Sequence, residues 1–229
     1  MACRVVCISS EDGAGAHEAA LAAAQSLGFR LIDEDIVTRA ALEAGVDEHV
    51  VADVERRKSA LVRLIESMGT AGSAGMGAGY VMAPPEAGGP DQPPSDDVRG
   101  LIRSVIEETA GEGKVVIVAH AASLALGERD DVLRVMVTAS PQTRQRRFAE
   151  ALGLDDKEAG RMLKRSDAGR ADYIKRFYGI AAELPTHYDL VINTDKLSPE
   201  QAARLIVETA AIGASGTSAP QPVASDTTS

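Results

Sequence analysis

The chain has 229 residues, of which 45% are hydrophobic and 25% are charged, and its formal net charge at pH 7 is −10. This composition supplies apolar side chains for one globular core, and the negative charge argues against a nucleic acid partner, because phosphate backbones are bound by clustered Lys and Arg. No apolar run reaches the roughly 20 residues of a membrane-spanning helix, and the first residues enter a strand pattern without a charged and apolar leader, so we expect a soluble, cytoplasmic protein that binds no membrane.

Short runs of Val, Ile and Leu alternate with longer helical patterns along the chain. This alternation is typical of a parallel sheet with helices on both faces. Strands are predicted at residues 4–8, 29–32, 114–119, 132–138 and 190–193. The sequence therefore predicts an α/β fold with five parallel strands.

The predicted helices are marked by periodic apolar residues and by capping residues. The first is rich in alanine and stops at Gly28, a residue type that commonly ends helices. Ser140 followed by Pro141 marks a helix start, and residues 198–201 form a capping box. Helices are thus predicted at residues 16–27, 36–45, 47–68, 98–110, 155–178 and 198–211, with another that begins at Ser140.

Two segments have a composition unlike the rest. Residues 69–97 consist largely of Gly, Ala, Pro and Ser, which predicts a flexible insertion. Residues 213–229 form a polar tail that is predicted to be disordered. We therefore expect one domain at residues 1–212.

The turn between the first strand and the first helix contains Gly13 and Gly15. The first turn of a helix carries N–H groups without a partner inside the helix, at the positive end of the helix dipole, and such a turn suits a phosphate group. In the pattern G-x-x-x-x-G-K-[ST], Ser10 replaces the first glycine, Ala16 the lysine and His17 the hydroxyl residue. The predicted phosphate loop comprises Ser10, Gly13, Ala14, Gly15, Ala16 and His17.

A dinucleotide-binding turn is an alternative interpretation of the same glycines. Gly13 and Gly15 follow a strand, and Asp33 lies where the acid that binds a ribose would be expected. The position of the third glycine in that pattern is occupied by Glu18. An NAD(P)-binding Rossmann protein therefore stays open as an alternative.

Four stretches of the chain carry a further pattern. They are residues 9–15 in the glycine turn, residues 27–33 together with Arg39, residues 144–147 together with 164–173, and residues 188–194. In these stretches the sequence resembles the cytidylate kinases, and most closely the cytidylate kinase-like family. The resemblance covers most of residues 3–212 and leaves out the Gly/Pro-rich insertion.

This resemblance implies a three-layer P-loop nucleoside-kinase fold with the sheet order 2-3-1-4-5 and a helical lid at residues 150–180. It also implies that the γ-phosphate of ATP is transferred to a nucleoside monophosphate of the CMP or dCMP type, with Mg²⁺ as a cofactor. The implied partners are therefore small-molecule nucleotides. Neither the residues nor the resemblance indicates an oligomeric state.

The resemblance also implies roles for individual residues. Arg144, Arg165 and Arg170 would surround the γ-phosphate, and Asp167 would hold an arginine in position. Asp33, Arg39 and His120 would face the acceptor nucleotide, and Thr194 would lie near the adenine. No side chain is predicted as a direct metal ligand.

A second hypothesis is a catalytically impaired pseudo-kinase that binds nucleotides as a sensor or a partner-binding module. Ala16 carries no charge for the phosphates, and His17 is a poor substitute for a hydroxyl that reaches Mg²⁺. After the third strand the chain has Ala-His-Ala at residues 119–121, where cytidylate kinases have Gly-Arg-Asp. The retained Asp33 and the lid arginines favour the enzyme, whereas these departures favour the pseudo-kinase.

Overall fold

The computed structural model describes residues 3–33, 96–119 and 122–214 of the chain. Two of the predicted site residues, Arg39 and His120, lie outside the described residues. The same holds for the helices predicted at 36–45 and 47–68, for residues 69–95 of the insertion and for residues 215–229 of the tail.

The described residues form a parallel sheet with the strand order β2-β3-β1-β4-β5. The strands are β1 (Val5–Ser10), β2 (Arg30–Asp33), β3 (Val115–Val118), β4 (Val132–Thr138) and β5 (Leu190–Asn193). The helices are α1 (Ala16–Leu27), α2 (Asp96–Glu112), α3 (Ala122–Leu126), α4 (Pro141–Leu152), α5 (Asp156–Tyr178) and α6 (Pro199–Ala214). The predicted five-stranded parallel sheet and its order are confirmed.

The strand β1 lies at the centre of the sheet and is covered on both faces. Val5 is paired with Val115 on one side and with Val132 on the other, and the side chains from Val5 to Ile8 are fully buried. A strand buried on both faces is an uninterrupted apolar run rather than an alternating one. This explains why β1 begins with the uninterrupted apolar segment Val-Val-Cys-Ile.

The layer of helices on one face of the sheet consists of α1 and α6. Small residues of α1, such as Ala19 and Ala23, are buried against Ala202 and Ile206 of α6 and the adjacent sheet face. Because alanine side chains are short, the two helices pack close to the strands. On the other face, α2 and α3 contribute Ile106, Ala110, Ala122 and Ala125 to a second core.

The helices α4 and α5 follow β4 and lie next to the carboxyl end of the sheet. The Ser140 side chain accepts a hydrogen bond from the Thr143 backbone N–H, as its position before Pro141 predicted. Asp155 caps α5 in the same way, and the helix ends at Gly179 with a positive φ of 68°. None of the helices within the described ranges is long and apolar enough to cross a membrane.

The element boundaries differ from the predicted ones at several points. β1 extends to Ser10 rather than to Ile8 because Ser9 and Ser10 pair with Met136 and Val137 of β4, and this register outweighs their polar side chains. α2 begins at Asp96 and α6 ends at Ala214, so the predicted insertion and tail are each two residues too long at these ends. The helix α3 was not predicted, because its five residues are too few to show a helical period.

Candidate functional site

The loop between β1 and α1 depends on two glycines with left-handed backbone conformations. Gly13 has a φ of +76° and Gly15 a φ of +77°. Residues that carry a Cβ atom rarely adopt this backbone conformation. A Cβ atom on Gly13 would lie 2.5 Å from the carbonyl oxygen of Arg144, so α4 packs directly against this loop. Gly15 caps α1, and the first-turn amides of this helix therefore lie at the carboxyl edge of the sheet.

A cavity of about 540 Å³ opens above the loop. Most of the predicted phosphate loop lines it, together with the end of β2, the end of β3, and parts of α4 and α6. The residues of its wall are Ser10, Glu11, Asp12, Gly13, Gly15, Ala16, His17, Glu18, Asp33, Val118, Ala119, Arg147, Phe148, Glu150, Ala151 and Pro199. The amides and the helix dipole make the loop side of this cavity suited to an anion.

His17 and Asp33 approach each other across the cavity. The distance between His17 Nδ1 and Asp33 Oδ2 is 2.9 Å. The predicted phosphate side and the predicted acceptor side thus share one space, with the imidazole and the carboxylate between them.

Arg144 extends from α4 to the outer side of the phosphate loop and is almost fully buried. Its Nε donates to the backbone oxygen of Asp12 at 2.7 Å. Its two terminal nitrogens donate to the carboxylate of Asp167 at 2.5 and 3.1 Å, and Glu11 Oε1 lies 3.4 Å from one of them. Asp167 therefore holds this guanidinium in a two-pronged ion pair.

Arg170 is buried on α5 and lies below the start of the loop. It donates to Glu183 at 2.8 and 2.9 Å, to the Ser9 hydroxyl at 2.9 Å and to the backbone oxygen of Ser10. The Tyr188 hydroxyl donates to Glu183 as well. Burial, with the neighbouring Glu183 carboxylate as a second cause, raises the pKa of Tyr188 to about 12.

Arg147 and Thr194 connect α4, the phosphate loop and the residue after β5. Arg147 donates to the Thr194 hydroxyl at 2.9 Å, to the Thr194 backbone oxygen at 2.8 Å and to the Ala14 oxygen at 3.3 Å. The Thr194 hydroxyl in turn donates to Ala14 O at 2.7 Å. Thr194 is buried and lies under the loop, while Arg147 forms part of the cavity wall.

The acidic side chains of Glu11 and Asp12 are held towards α4, α5 and β4. Thr138 donates to Glu11 Oε2 at 2.5 Å, and Ser166 donates to Asp12 Oδ2 at 2.5 Å. Both residues still line the cavity. Their negative charge is thus partly offset by Arg144, whose guanidinium meets Glu11.

A second cavity of about 430 Å³ lies between α5, the segment after it and the face of β4 and β5. Arg170, Glu183 and Tyr188 form its polar end, and Ile174, Met136 and Val191 contribute apolar walls. Glu11 lines this cavity as well as the first. The lid arginine Arg170 therefore belongs to this second space and not to the wall of the first.

The structure brings some of the predicted site residues together and separates others. Arg165 is exposed on α5 and is not among the described residues that line either cavity. Arg144, Arg170 and Thr194 are buried next to the loop, and Ala14 is buried within it, so none of the four lies in the wall of the cavity. Those in the cavity wall are Ser10, Gly13, Gly15, Ala16, His17 and Asp33.

Arg147 is one of the cavity residues that the predicted site did not include. It lies three residues after Arg144 in α4, and residues at this spacing share a helix face. That spacing is the signal in the sequence that could have identified it.

The sequence matches the cytidylate kinase-like family over residues 5–196. A cytidylate kinase from Methanopyrus kandleri is 29% identical over 107 residues, which make up 43% of this chain and 55% of that protein. The chain thus spans about half the length of this curated relative.

Among solved structures, an uncharacterized protein from Eubacterium ventriosum has a TM-score of 0.63 at 17% identity, covering 91% of this chain and 98% of that one. A shikimate kinase from Bacteroides thetaiotaomicron has a TM-score of 0.43 at 18% identity, and the match covers 90% of this chain and 95% of that one. This similarity is too weak to support an argument about the fold. The described fold is the three-layer α/β fold of P-loop kinases.

Proposed function

Because the chain belongs to the cytidylate kinase-like family, we propose that it transfers the γ-phosphate of ATP to a nucleoside monophosphate of the CMP or dCMP type. The observation that carries this proposal is the shared cavity. Its wall includes the first turn of α1, where an anion is favoured, and Asp33 at the end of β2. Donor phosphates and acceptor would therefore meet in one space of about 540 Å³, a volume typical of small-molecule sites.

The base of the donor nucleotide would lie against α4 and α6. The wall there contains the Arg147 guanidinium, the Phe148 ring, Ala151 and Pro199. Flat guanidinium and apolar surfaces are suited to stacking a base. Thr194 supports this arrangement from below, since it holds Arg147 through its hydroxyl and backbone oxygen.

The acceptor would bind on the other side of His17. Asp33 presents a carboxylate oxygen there, and a carboxylate can only accept hydrogen bonds, so it selects a hydroxyl or an amino group of the acceptor. The pair with His17 fixes the position of this carboxylate relative to the phosphate loop. Holding both reactants at a fixed separation is a main contribution that a protein makes to phosphoryl transfer.

The residues of the cavity fit Mg²⁺. This ion prefers oxygen ligands and is commonly held by one or two carboxylates together with substrate phosphates and water. The described residues contain no group of three or more acidic, His or Cys side chains placed to hold a metal ion. One or two of the wall carboxylates of Glu11, Asp12 and Asp33 would therefore hold it together with the phosphates. When bound with ATP, Mg²⁺ neutralises negative charge on the phosphates.

A coupled assay of ADP release tests the proposal, with ATP and Mg²⁺ and with CMP, dCMP, UMP, AMP and GMP as separate acceptors. We expect turnover with the cytidine nucleotides, and its loss in Asp33→Ala purified by the same procedure. Turnover in Asp33→Ala with an unchanged KM for the acceptor would contradict the proposed role of Asp33. Absence of turnover with every acceptor would contradict phosphoryl transfer.

The second candidate is a protein that binds nucleotides without transferring a phosphate. The specific observation in its favour is that Arg144 and Arg170 are already paired with Asp167 and Glu183, and that Ala16 brings no ammonium group to the cavity. Removing one preorganised charge typically costs about 10²- to 10³-fold in rate. Isothermal titration that detects ATP binding, alongside an inactive coupled assay, would favour this candidate.

The sheet order argues against the dinucleotide-binding alternative. In that fold the second strand lies next to the first, whereas here β3 separates β2 from β1. Asp33 therefore does not end the strand from which a ribose-binding acid would reach the glycine turn. A titration with NAD and NADP is expected to show no binding.

A further inference from the structure

Three arginines from α4 and α5 contact the phosphate loop, Arg144 and Arg170 from its outer side and Arg147 from the wall of the cavity. Each donates to a backbone oxygen of the loop. The contacts are those of Arg170 with Ser10 O, of Arg144 Nε with Asp12 O at 2.7 Å, and of Arg147 with Gly13 O and Ala14 O at 3.5 and 3.3 Å. Almost the whole series of outward carbonyl oxygens is thus capped by guanidinium groups.

This arrangement has a direct consequence for the N–H groups of the loop. In a peptide unit the carbonyl oxygen and the following N–H point in opposite directions. A cation on the oxygen fixes the orientation of that unit and increases the positive partial charge on its N–H. Four oxygens are capped, and of the amides that follow them that of Ala14 donates to Glu11 O within the loop. The other three amides belong to Glu11, Gly13 and Gly15, which line the loop side of the cavity.

Two of these arginines are fixed in place. Arg144 and Arg170 are 4% and 7% exposed, and their charges are paired with Asp167 and Glu183. Moving either guanidinium to the front of the loop would break both its ion pair and its hydrogen bond to the loop oxygen. These contacts favour a role behind the loop over direct contact with the phosphates.

We infer that Arg144, Arg147 and Arg170 are positioning residues, which hold the phosphate loop through its backbone oxygens and direct its amides at the phosphates. The loop thereby gains positive character through its peptide units, in a chain where Ala16 cannot supply an ammonium group. This inference rests on the proposed nucleotide site and assigns to the arginines a role different from the clamp that the resemblance implied.

An NMR titration of the full chain with inorganic tripolyphosphate tests the inference. This probe has no base, so a loss of affinity reports on phosphate binding alone. The variants are Arg144→Lys, Arg147→Lys and Arg170→Lys, and the matched control is Arg146→Lys, an exposed neighbour on α4. Thermal unfolding of each variant verifies that it is folded at the temperature of the titration.

Each substitution is expected to shift the NMR resonance of one backbone amide. This is the amide of the residue that follows the carbonyl contacted by the substituted arginine. These amides are Gly13 for Arg144→Lys, Gly15 for Arg147→Lys and Glu11 for Arg170→Lys. The affinity for tripolyphosphate should fall about tenfold in each, because lysine keeps the charge but loses the planar fork that caps the oxygen. Arg146→Lys should change neither the shifts nor the affinity.

Any of three results would overturn the inference. One is a loss of affinity without a shift of the expected amide, which would indicate direct contact between the guanidinium and the phosphates. The others are shifted amides with unchanged affinity, and a wild-type chain that does not bind tripolyphosphate. If the buried Arg144 or Arg170 variant does not fold, Asp167→Asn and Glu183→Gln loosen the same guanidiniums and are expected to show the same paired effects.

The inference and the proposed function fail in different ways. A wild-type chain that transfers phosphate, with variants that bind tripolyphosphate normally, would contradict the positioning role alone. A chain whose variants lose tripolyphosphate affinity as expected, but that shows no transfer to any acceptor, would contradict the phosphotransferase alone.

Discussion

His17 Nδ1 lies 2.9 Å from Asp33 Oδ2, so the first turn of α1 and the end of β2 are joined across the candidate nucleotide cavity. The Asp33 side chain is 10% exposed and that of His17 is 43% exposed. Because β3 lies between β1 and β2 in the sheet, this contact bridges a strand. It sets the distance between the predicted phosphate loop and the predicted acceptor side.

Asp33→Asn is expected to raise the KM for CMP about tenfold and to leave the KM for ATP within about twofold. Asparagine keeps the shape of the side chain but loses the charge, and a hydrogen bond to a charged group is worth about 1.5–3 kcal/mol. Steady-state kinetics with each substrate varied in turn measures both values. His17→Gln is the control, since it removes the imidazole and retains the carboxylate; an equal effect of both variants would mean that Asp33 only anchors His17.

Ala16→Lys is expected to increase the affinity for ATP about tenfold. Ala16 lines the cavity at the first turn of α1, so a lysine stem at this position can carry its ammonium group to the phosphates. Isothermal titration of the variant and of the wild type measures the change. Ala16→Met has a stem of similar length and no charge, and a comparable gain in that variant would show that added apolar contact, not charge, is responsible.

Gly13→Ala is expected to lower the free energy of unfolding by about 3 kcal/mol. The left-handed backbone costs about 1–2 kcal/mol with a Cβ atom, and this Cβ would also lie 2.5 Å from Arg144 O. Gly28→Ala is the matched control, because Gly28 has a φ of +65° and nothing within 4 Å of the added atom. Urea unfolding should give about 1 kcal/mol for the control, and equal losses in both variants would exclude a steric effect of Arg144.

The removal of two buried hydroxyl groups is expected to have different effects on the stability of the protein. Within the described part of the chain the Ser123 hydroxyl has no hydrogen-bond partner, whereas that of Thr194 bonds to Ala14 O and Arg147. Ser123→Ala should therefore leave stability unchanged or raise it by about 1 kcal/mol, and Thr194→Val should lower it by about 1–3 kcal/mol. Urea unfolding measures both, and a destabilised Ser123→Ala would contradict the assignment of an unpartnered hydroxyl.

The sheet and the glycine loop could be predicted from the sequence because their causes are local. The Val and Ile runs lie on strands buried on two faces, and Gly13 and Gly15 adopt the backbone conformations that glycine permits. The short helix α3 lacked such a signal, since its five residues span little more than one helical turn.

The roles of the arginines could not be predicted in the same way, because their partners lie far away along the chain. Arg170 contacts Ser10, which is 160 positions earlier. Arg165 lies five residues before Arg170, and five residues correspond to about 140° around a helix. One helix face can therefore not present both to the loop, and the number of arginines in the sequence does not reveal how many of them reach it.

The stability of the protein is expected to fall as the pH rises from about 10 to 12, in part because of Tyr188. Burial and the Glu183 carboxylate raise the pKa of Tyr188 from 10.0 to about 12 in the folded chain. Between these values the unfolded chain has lost the phenolic proton while the folded chain retains it, so raising the pH favours unfolding. Below pH 10 both states hold the proton and the effect is absent.

Tyr188→Phe isolates this contribution because phenylalanine has no ionisable proton. The difference in unfolding free energy between the wild type and this variant is expected to shrink by about 1 kcal/mol between pH 10 and pH 11. The fully buried Cys7, whose pKa is also raised to about 12 by burial, contributes equally to both proteins and cancels in the difference. Urea unfolding at pH 8, 9, 10 and 11 measures the trend, and a difference that stays constant across this range would show that the Tyr188 phenol is not held in the environment described.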